Sequence, residues 1–236
     1  MSINEKPGGG GEMQPYFPKG NGDKSGEYTN KSNSEPASKK QEVNEKELLK
    51  ASEDFCEKTK SSRKYLEKTM SKEEIDSVVK YSNYEYGVAL NLANRMHNLT
   101  EEQSKDTYNI VNSIKRHYLP SIVLFRGARY TKERRDALVD AIETCAMQYG
   151  QLITSTTRDR SHAFANAYPE ADRPCPVVFE CEIPANYHGL PIEDIAFDRR
   201  EHEVLLSEPA YVVQAVEEVI IGKIKYDLFH IKIIEV

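Results

Sequence analysis

The spacing of apolar residues predicts helices in the first ordered part of the chain. Apolar residues scattered among many charges favour a helix over residues 46–69. Ser71 and Glu74 have the spacing of a capping box, so a helix is expected to begin after Ser71. Thr100 and Gln103 repeat that spacing before a second helix, which would end before Pro120. The apolar face of this second helix would consist of Tyr108, Val111, Ile114 and Tyr118.

After residue 120 the period of the pattern changes. Residues 121–125 form an apolar run too short for a helix, which is typical of a buried strand. Further strands are predicted over residues 151–155, 176–183, 202–206, 211–221 and 226–236. Between them, Thr131 would cap a helix that ends at Gly150, and a short helix would cover residues 161–168. Because helices come first and strands later, the order favours an α+β fold over alternating α/β units.

Composition divides the chain into two parts. Apolar residues make up 39% of it and mean hydropathy is -0.66, so part of the chain is expected not to pack. Four consecutive glycines and several prolines among polar residues identify that part as the N-terminus. We therefore expect a disordered tail over residues 1–45, either a linker or a targeting leader, and one folded domain over residues 46–236.

Charge and cysteine usage exclude several classes of protein. The net charge of -6 argues against a nucleic-acid binder, because phosphate binding needs a basic face. The sequence contains no run of 18 apolar residues, so no membrane span is expected. Residues 1–11 lack the apolar segment of a general secretory signal. The four cysteines lie too far apart in sequence for a zinc site, so we expect free thiols, mostly in a core, and no metal. They are Cys56, Cys145, Cys175 and Cys181.

Two short motifs follow predicted strands. Arg126-Gly127 comes directly after residues 121–125. An arginine at the end of a buried strand is expected to pair with an anionic group, and a glycine lets the backbone come close to a ligand. Ser155-Thr156-Thr157 comes at the end of residues 151–155, where small hydroxyls can orient a carboxylate. Taken singly, each motif also fits an ordinary surface turn.

A third motif, Glu201-His202-Glu203, opens the strand predicted over residues 202–206. Strand alternation would place Glu201 and Glu203 on the same face, where like charges raise at least one pKa. Such a pair suits chemistry in which positive charge develops, as at the anomeric carbon of a sugar. The alternative is a solvated strand edge. Neither a phosphate-binding glycine loop nor a nucleophile elbow occurs in the sequence.

Taken together and in this order, the three motifs resemble the Arg–Ser–Glu class of mono-ADP-ribosyltransferases, which includes actin-modifying binary toxins and many bacterial effectors. Residues 81–95 resemble the helix that precedes the first strand in these enzymes, and Phe164 resembles the aromatic that lies near the nicotinamide. The resemblance covers residues 74–236. It implies an α+β fold with N-terminal helices on a split two-sheet β core, and NAD bound in the cleft between the sheets.

The resemblance also implies a set of residue roles. Arg126 would pair with an NAD phosphate, and Ser155 would position Glu203, which would stabilise the oxocarbenium-like sugar as nicotinamide leaves. Glu201 would orient the acceptor, most often arginine, although Thr or Asn stays open. The implied catalytic set is Glu203, Glu201, Ser155 and Arg126. The implied cofactor-binding set is Arg126, Gly127 through its backbone, Ser155, Thr156, Phe164 and Glu203.

The sequence departs from some relatives, which have a second phosphate-binding arginine shortly after the aromatic. Ala167 and Tyr168 stand there, so that role would fall to another arginine or to none. The candidates are Arg158, Arg160 and Arg173. Residues 192–200, with Phe197 near their end, would form the loop that recognises the target, and the short helix near residues 162–168 would close over NAD.

The implied function is NAD-dependent transfer of ADP-ribose to a host protein such as actin, a small GTPase or ubiquitin. With the disordered tail, this favours a monomeric toxin or effector secreted by a specialised system. One alternative is an NAD glycohydrolase, in which water replaces the acceptor. Another is a degenerate domain that only binds a partner, although the presence of Arg126, Ser155 and Glu203 argues against it.

Overall fold

Helices precede most of the strands along the chain, as the order of periodicities predicts. The structure is a computed structural model, and it describes residues 40–42, 44, 46–48, 50 and 63–235. Most of the predicted tail and residues 51–62 of the first predicted helix lie outside the described residues. The helices are α1 (Arg63–Thr69), α2 (Lys72–Tyr81), α3 (Tyr84–Met96), α4 (Glu101–Arg116), α5 (Lys132–Thr144) and α6 (Arg160–Asn166).

In the described part of the chain, ten strands form one hydrogen-bonded sheet. They are β1 (Lys40–Glu42), β2 (Tyr118–Leu119), β3 (Ile122–Tyr130), β4 (Met147–Tyr149), β5 (Thr154–Thr157), β6 (Cys175–Ile183), β7 (Tyr187–Pro191), β8 (Glu203–Leu206), β9 (Ala210–Ile221) and β10 (Ile224–Ile234). Their spatial order is β1-β9-β10-β6-β3-β5-β8-β7-β2, with β4 paired to β9. The short strands β2 and β7 were not predicted.

The sheet is nearly interrupted between β3 and β5. Along β3, pairing with β6 runs from Ile122↔Ile183 to Tyr130↔Cys175. With β5, by contrast, β3 shares the single pair Phe125↔Thr157. The sheet therefore has two parts, one ending at β3 and the other beginning at β5, and the predicted split two-sheet β core of an α+β fold is confirmed.

Two of the hydrophobic clusters pack helices against the sheet. In the first, Leu138 of α5 packs with Phe179 and Phe229, and the cluster extends to β2 and β8. In the second, α2, α3 and α4 contribute Val78, Leu90 and Ile110 to a cluster with residues of β7 and β8. Burial of these apolar side chains is the main force that holds the helices against the sheet.

Both capping boxes predicted from sequence are present. Ser71 Oγ accepts the Glu74 N–H, and the Glu74 carboxylate accepts the Ser71 N–H at 2.8 Å. The predicted apolar face of α4 is confirmed for Ile114, which is buried, and for Val111, which packs against the same cluster, but it is wrong for Tyr108, which is exposed. Asp106 is buried instead. Burial of Asp106 is tolerated because its carboxylate accepts hydrogen bonds from α2 and α3 hydroxyls.

Two predicted boundaries in the middle of the chain are also wrong. The strand predicted to stop at Phe125 continues to Tyr130, since β6 supplies backbone partners along its whole length. The helix predicted to run to Gly150 ends at Thr144, because Cys145 is left-handed with φ 50°. The residues that follow form β4 instead.

One strand lies within residues 1–45, the segment predicted to be a tail. Lys40–Glu42 form β1, which pairs in parallel with β9. The segment is polar and lacks an alternating pattern, so sequence alone gave no sign of a strand there. Its partner is an edge that the tertiary fold provides.

The remaining sequence expectations concern thiols, membranes and metals. Cys145, Cys175 and Cys181 are free thiols, but of these three only Cys181 is buried in the core. Among the described residues, no helix is long and apolar enough to cross a membrane. In the same residues, no cluster of three His, Cys, Asp or Glu side chains could hold a metal ion.

Candidate active site

Arg126 and Ser155 face each other across the split in the sheet. Arg126 lies on β3, one residue past the single pair that joins the two parts. Its Nη1 donates a hydrogen bond to the Ser155 carbonyl oxygen on β5 at 2.5 Å. The half-buried guanidinium therefore crosses the gap between the two parts of the sheet.

Glu203 reaches the same place from β8. Its side chain is buried, and its carboxylate accepts a hydrogen bond from the Ser155 hydroxyl. The pKa of Glu203 is raised to about 7, mainly by burial and also by the charge of Glu201, against the opposing effects of the Ser155 hydrogen bond and the Arg126 charge. The site therefore holds a carboxylate that changes its protonation state near neutral pH.

Glu201 lies beside Glu203 for a different reason from the one predicted. It belongs to a 3₁₀ turn, Arg199–Glu201, and His202 adopts the left-handed conformation with φ 48°, so strand alternation does not relate the two glutamates. The turn is held by the Thr157 hydroxyl, which donates to the Glu201 carbonyl oxygen at 2.5 Å. Burial raises the pKa of the half-buried Glu201 carboxyl group.

The site also contains two residues to which sequence reasoning gave no role. The Tyr81 hydroxyl accepts a hydrogen bond from Asn91 Nδ2 at 3.0 Å and donates to the Ile153 carbonyl oxygen at 3.3 Å. Burial raises the pKa of Tyr81 to about 12, and the Glu203 charge adds to the effect. Because Tyr81 ends α2 and Asn91 lies within α3, periodicity gave no signal that they meet.

Comparison with known proteins finds similar solved structures but no match by sequence. No protein-family model matches the chain, and no curated protein matches it. Plx2a, an ADP-ribosyltransferase toxin from Paenibacillus larvae, superimposes with a TM-score of 0.60 at 15% identity over 81% of this chain and 96% of its own. The ADP-ribosyltransferase HopU1 of Pseudomonas syringae pv. Tomato DC3000 gives 0.57 at 15%, covering 78% and 87%. The fold is that of the ADP-ribosyltransferase toxins.

A third structure of this fold contains a dinucleotide. BECa, an ADP-ribosylating toxin of a binary enterotoxin of C. perfringens, was solved with NADH. It superimposes with a TM-score of 0.58 at 15% identity, over 79% of this chain and 48% of the BECa chain.

Two residues predicted to bind the cofactor are buried in this fold. Thr156 is buried, and its hydroxyl donates to the Val204 carbonyl oxygen at 2.7 Å, because strand alternation turns it away from Ser155. Phe164 is also buried, edge-on to the Tyr226 ring with 5.1 Å between centroids. Thr156 joins β5 to β8, and the Phe164 ring lies 5.8 Å from the Arg160 guanidinium. Cofactor binding by these two residues stays a prediction.

Gly127 is required by close packing between β3 and α6. A Cβ atom at this position would lie 2.0 Å from the Ala163 carbonyl oxygen and 2.9 Å from the Ala167 nitrogen. A side chain larger than hydrogen would therefore push α6 away from the strand. This contact places α6 directly over the part of β3 that follows Arg126.

The structure distinguishes the three candidates for a second phosphate-binding arginine. Arg158 is buried in an ion pair with Glu193, and Arg173 is exposed beside Asp172. The Arg160 guanidinium lies 5.9 Å from the centroid of the Phe125 ring, next to the split. Of the three candidates, Arg160 is therefore the one whose guanidinium lies beside the split.

The loop predicted to recognise the target is anchored to the helices. Phe197 N–H donates to Ser82 Oγ at 2.7 Å, while the Phe197 side chain is 72% exposed. Next to it, Asp198 accepts two hydrogen bonds from the Arg200 guanidinium. The loop thus presents an aromatic ring to solvent four residues before Glu201.

Proposed function

We propose that this protein is an NAD-dependent mono-ADP-ribosyltransferase that modifies a side chain of another protein. The observation that carries the proposal is the convergence of Arg126, Ser155 and Glu203 at the split in the sheet. A guanidinium suits the diphosphate of NAD, and a carboxylate held by a hydroxyl suits a sugar that gains positive charge. The presence of NADH in the BECa structure supports the choice of a nicotinamide dinucleotide.

In the proposed reaction, the bond between the ribose C1′ and the nicotinamide nitrogen breaks, and its electron pair leaves with nicotinamide. The Glu203 carboxylate stabilises the cation left on the sugar and bonds a ribose hydroxyl. Ser155 keeps that carboxylate in place. Arg126 binds the diphosphate, with Arg160 as the second cation, and the Gly127 backbone holds the nicotinamide amide.

Glu201 serves the second half of the reaction. The nitrogen of an Arg or Asn acceptor, or the hydroxyl oxygen of a Thr acceptor, attacks C1′ and loses a proton, which the Glu201 carboxylate accepts. Arginine is the acceptor that we favour, with Thr or Asn as the other choices. Two of the proteins with similar structures named above are toxins, so we infer a toxin or effector that acts as a monomer on a host protein such as actin, a small GTPase or ubiquitin.

One incubation tests the proposal. The protein is mixed with NAD labelled in the ADP-ribose moiety, with and without a host-cell lysate, and nicotinamide, free ADP-ribose and labelled protein are measured. A transferase labels a lysate protein. Free ADP-ribose alone would indicate a glycohydrolase, and absence of both products would leave only a binding module.

The pKa of Glu203 predicts how the reaction depends on pH. Because the ionised carboxylate is the active form, kcat/KM for nicotinamide release should rise about tenfold between pH 6 and pH 8, with its inflection near the pKa of about 7. The Ser155→Ala variant is the matched control: it removes a hydrogen bond that lowers this pKa, so its inflection should move to higher pH. An inflection that stays in place in Ser155→Ala would contradict the assignment to Glu203.

Replacing Glu201 by Gln should separate transfer from hydrolysis. Protein labelling should fall about 10²-fold, the scale of general base catalysis, because the acceptor loses its base. Nicotinamide release into water should remain within a few-fold of wild type, because Glu203 is intact. Equal loss of both activities would show that Glu201 acts on the sugar rather than on the acceptor.

A further inference from the structure

The solvent-facing side of α3 is apolar. Tyr84, Val88, Leu92 and Met96 are 78%, 52%, 52% and 64% exposed, in that order. Their spacing of four places them on one side of the helix, along a line of about 18 Å. We call these four residues the α3 ridge.

Packing of α3 against the rest of the domain does not use this ridge. The inner side of the helix is formed by the buried Gly87 and Leu90, and Asn91 binds the Tyr81 hydroxyl. Gly87 lies so close to α2 that a Cβ atom would be 2.5 Å from the Tyr81 carbonyl oxygen. Single exposed apolar residues are normal on a protein surface, but a continuous row of them marks an interaction site.

The position of the ridge indicates its partner. It begins at Tyr84, two residues after Ser82, and the Ser82 hydroxyl accepts the N–H of the exposed Phe197. Phe197 is four residues before Glu201, the residue to which we assign the acceptor. This hydrogen bond therefore places the Phe197 backbone near the beginning of the ridge, on the acceptor side of the site.

We propose that the α3 ridge is the docking surface for the acceptor protein, a folded protein with an apolar patch beside the side chain that is modified. The proposal rests on the proposed function. Water needs only the site, whereas a protein acceptor must also be held, and burial of apolar surface supplies that affinity. A second copy of this chain is a poorer occupant, because on the ridge it would lie beside Phe197 and obstruct access to Glu201.

The test removes the ridge without removing the helix. In the double variant Val88→Glu with Leu92→Lys, the new charges have the favourable order for a pair four residues apart, and net charge is unchanged. The control variant Met147→Lys with Tyr149→Glu makes the same kind of change at two exposed apolar residues of β4, on the first part of the sheet. Labelling of lysate proteins and nicotinamide release without lysate are measured for both, together with circular dichroism.

We expect the ridge variant to label lysate proteins about tenfold less, or worse, at limiting lysate concentration. Labelling should recover partly at higher lysate concentration, and nicotinamide release without lysate should stay within twofold of wild type. The control variant should match wild type in both assays. This combination would show that the ridge raises affinity for the acceptor and leaves the chemistry intact.

Three other results would overturn the proposal. Unchanged labelling by the ridge variant would show that acceptors bind elsewhere. Equal loss of labelling and of nicotinamide release would show that the ridge supports the site instead. A wild-type dimer that becomes a monomer in the ridge variant would assign the surface to a second copy. Failure of wild type to release any nicotinamide is distinct, since it contradicts the proposed function itself.

Discussion

Replacing Glu203 by Gln is expected to slow nicotinamide release by about 10²–10³-fold, whether or not an acceptor protein is present. The amide keeps the shape of the side chain but has no negative charge to offer the sugar cation. Because that cation forms before water or a protein attacks, both products should be lost together. Glu201→Gln, which should lose labelling alone, is the matched comparison.

The same substitution should not destabilise the fold. Burial raises the pKa of Glu203 in the folded protein to about 7, so its contribution to stability is full below the unfolded pKa and is lost as pH rises through 7. Above that pH, keeping the carboxylate ionised and buried costs about 3 kcal/mol. The Gln variant carries no such charge, so at pH 8 its free energy of unfolding should equal or exceed that of wild type.

Urea denaturation at pH 8 and a nicotinamide-release assay, run on the same preparations, check both expectations. A folded Gln variant that still releases nicotinamide at the wild-type rate would remove Glu203 from the reaction. A folded variant that loses only protein labelling would exchange the roles of Glu203 and Glu201.

Glu193→Gln is expected to lower the free energy of unfolding by about 3–5 kcal/mol. Glu193 forms an ion pair with Arg158, and the two side chains are only 3% and 2% exposed. The substitution neutralises Glu193 and leaves the buried Arg158 guanidinium without this carboxylate. The resulting loss of stability is larger than the net stabilisation that the intact pair provides. His202 Nδ1 also lies 3.5 Å from the Glu193 carboxylate. The substitution therefore also alters a contact of the residue that ends the Glu201 turn.

The control is the double variant Arg158→Met with Glu193→Leu, which removes both charges and keeps apolar volume. It should recover most of the stability lost in Glu193→Gln, because no buried charge remains. Denaturant unfolding of the three proteins measures the difference. A loss below about 1 kcal/mol in Glu193→Gln, the size of an exposed pair, would show that water reaches Arg158 in the folded protein.

Local signals in the sequence were enough for much of the fold. The capping boxes at Ser71 and Thr100 were correct, because a cap is formed by residues three apart and needs no tertiary partner. The order of helices and strands was also sufficient for the α+β class. Elements whose stability comes from a neighbour were missed: β1 is polar and exists by pairing with β9, and the second half of β3 exists by pairing with β6.

For the site, the sequence by itself determined which residues to examine: the order of Arg126, Ser155 and Glu203 along the chain was sufficient to single them out. Only the tertiary structure decided which residues meet. It placed Tyr81, which binds Asn91, near Glu203 and put Arg160 near the split, while it buried Thr156 and Phe164. The physical reason is that a motif fixes residue type and spacing, whereas burial, pKa and side-chain direction depend on contacts between segments distant in sequence. Glu201 is the clearest example. Its position is set by the left-handed conformation of His202 and by the Thr157 hydroxyl, and neither can be predicted from the alternation of residues along a strand.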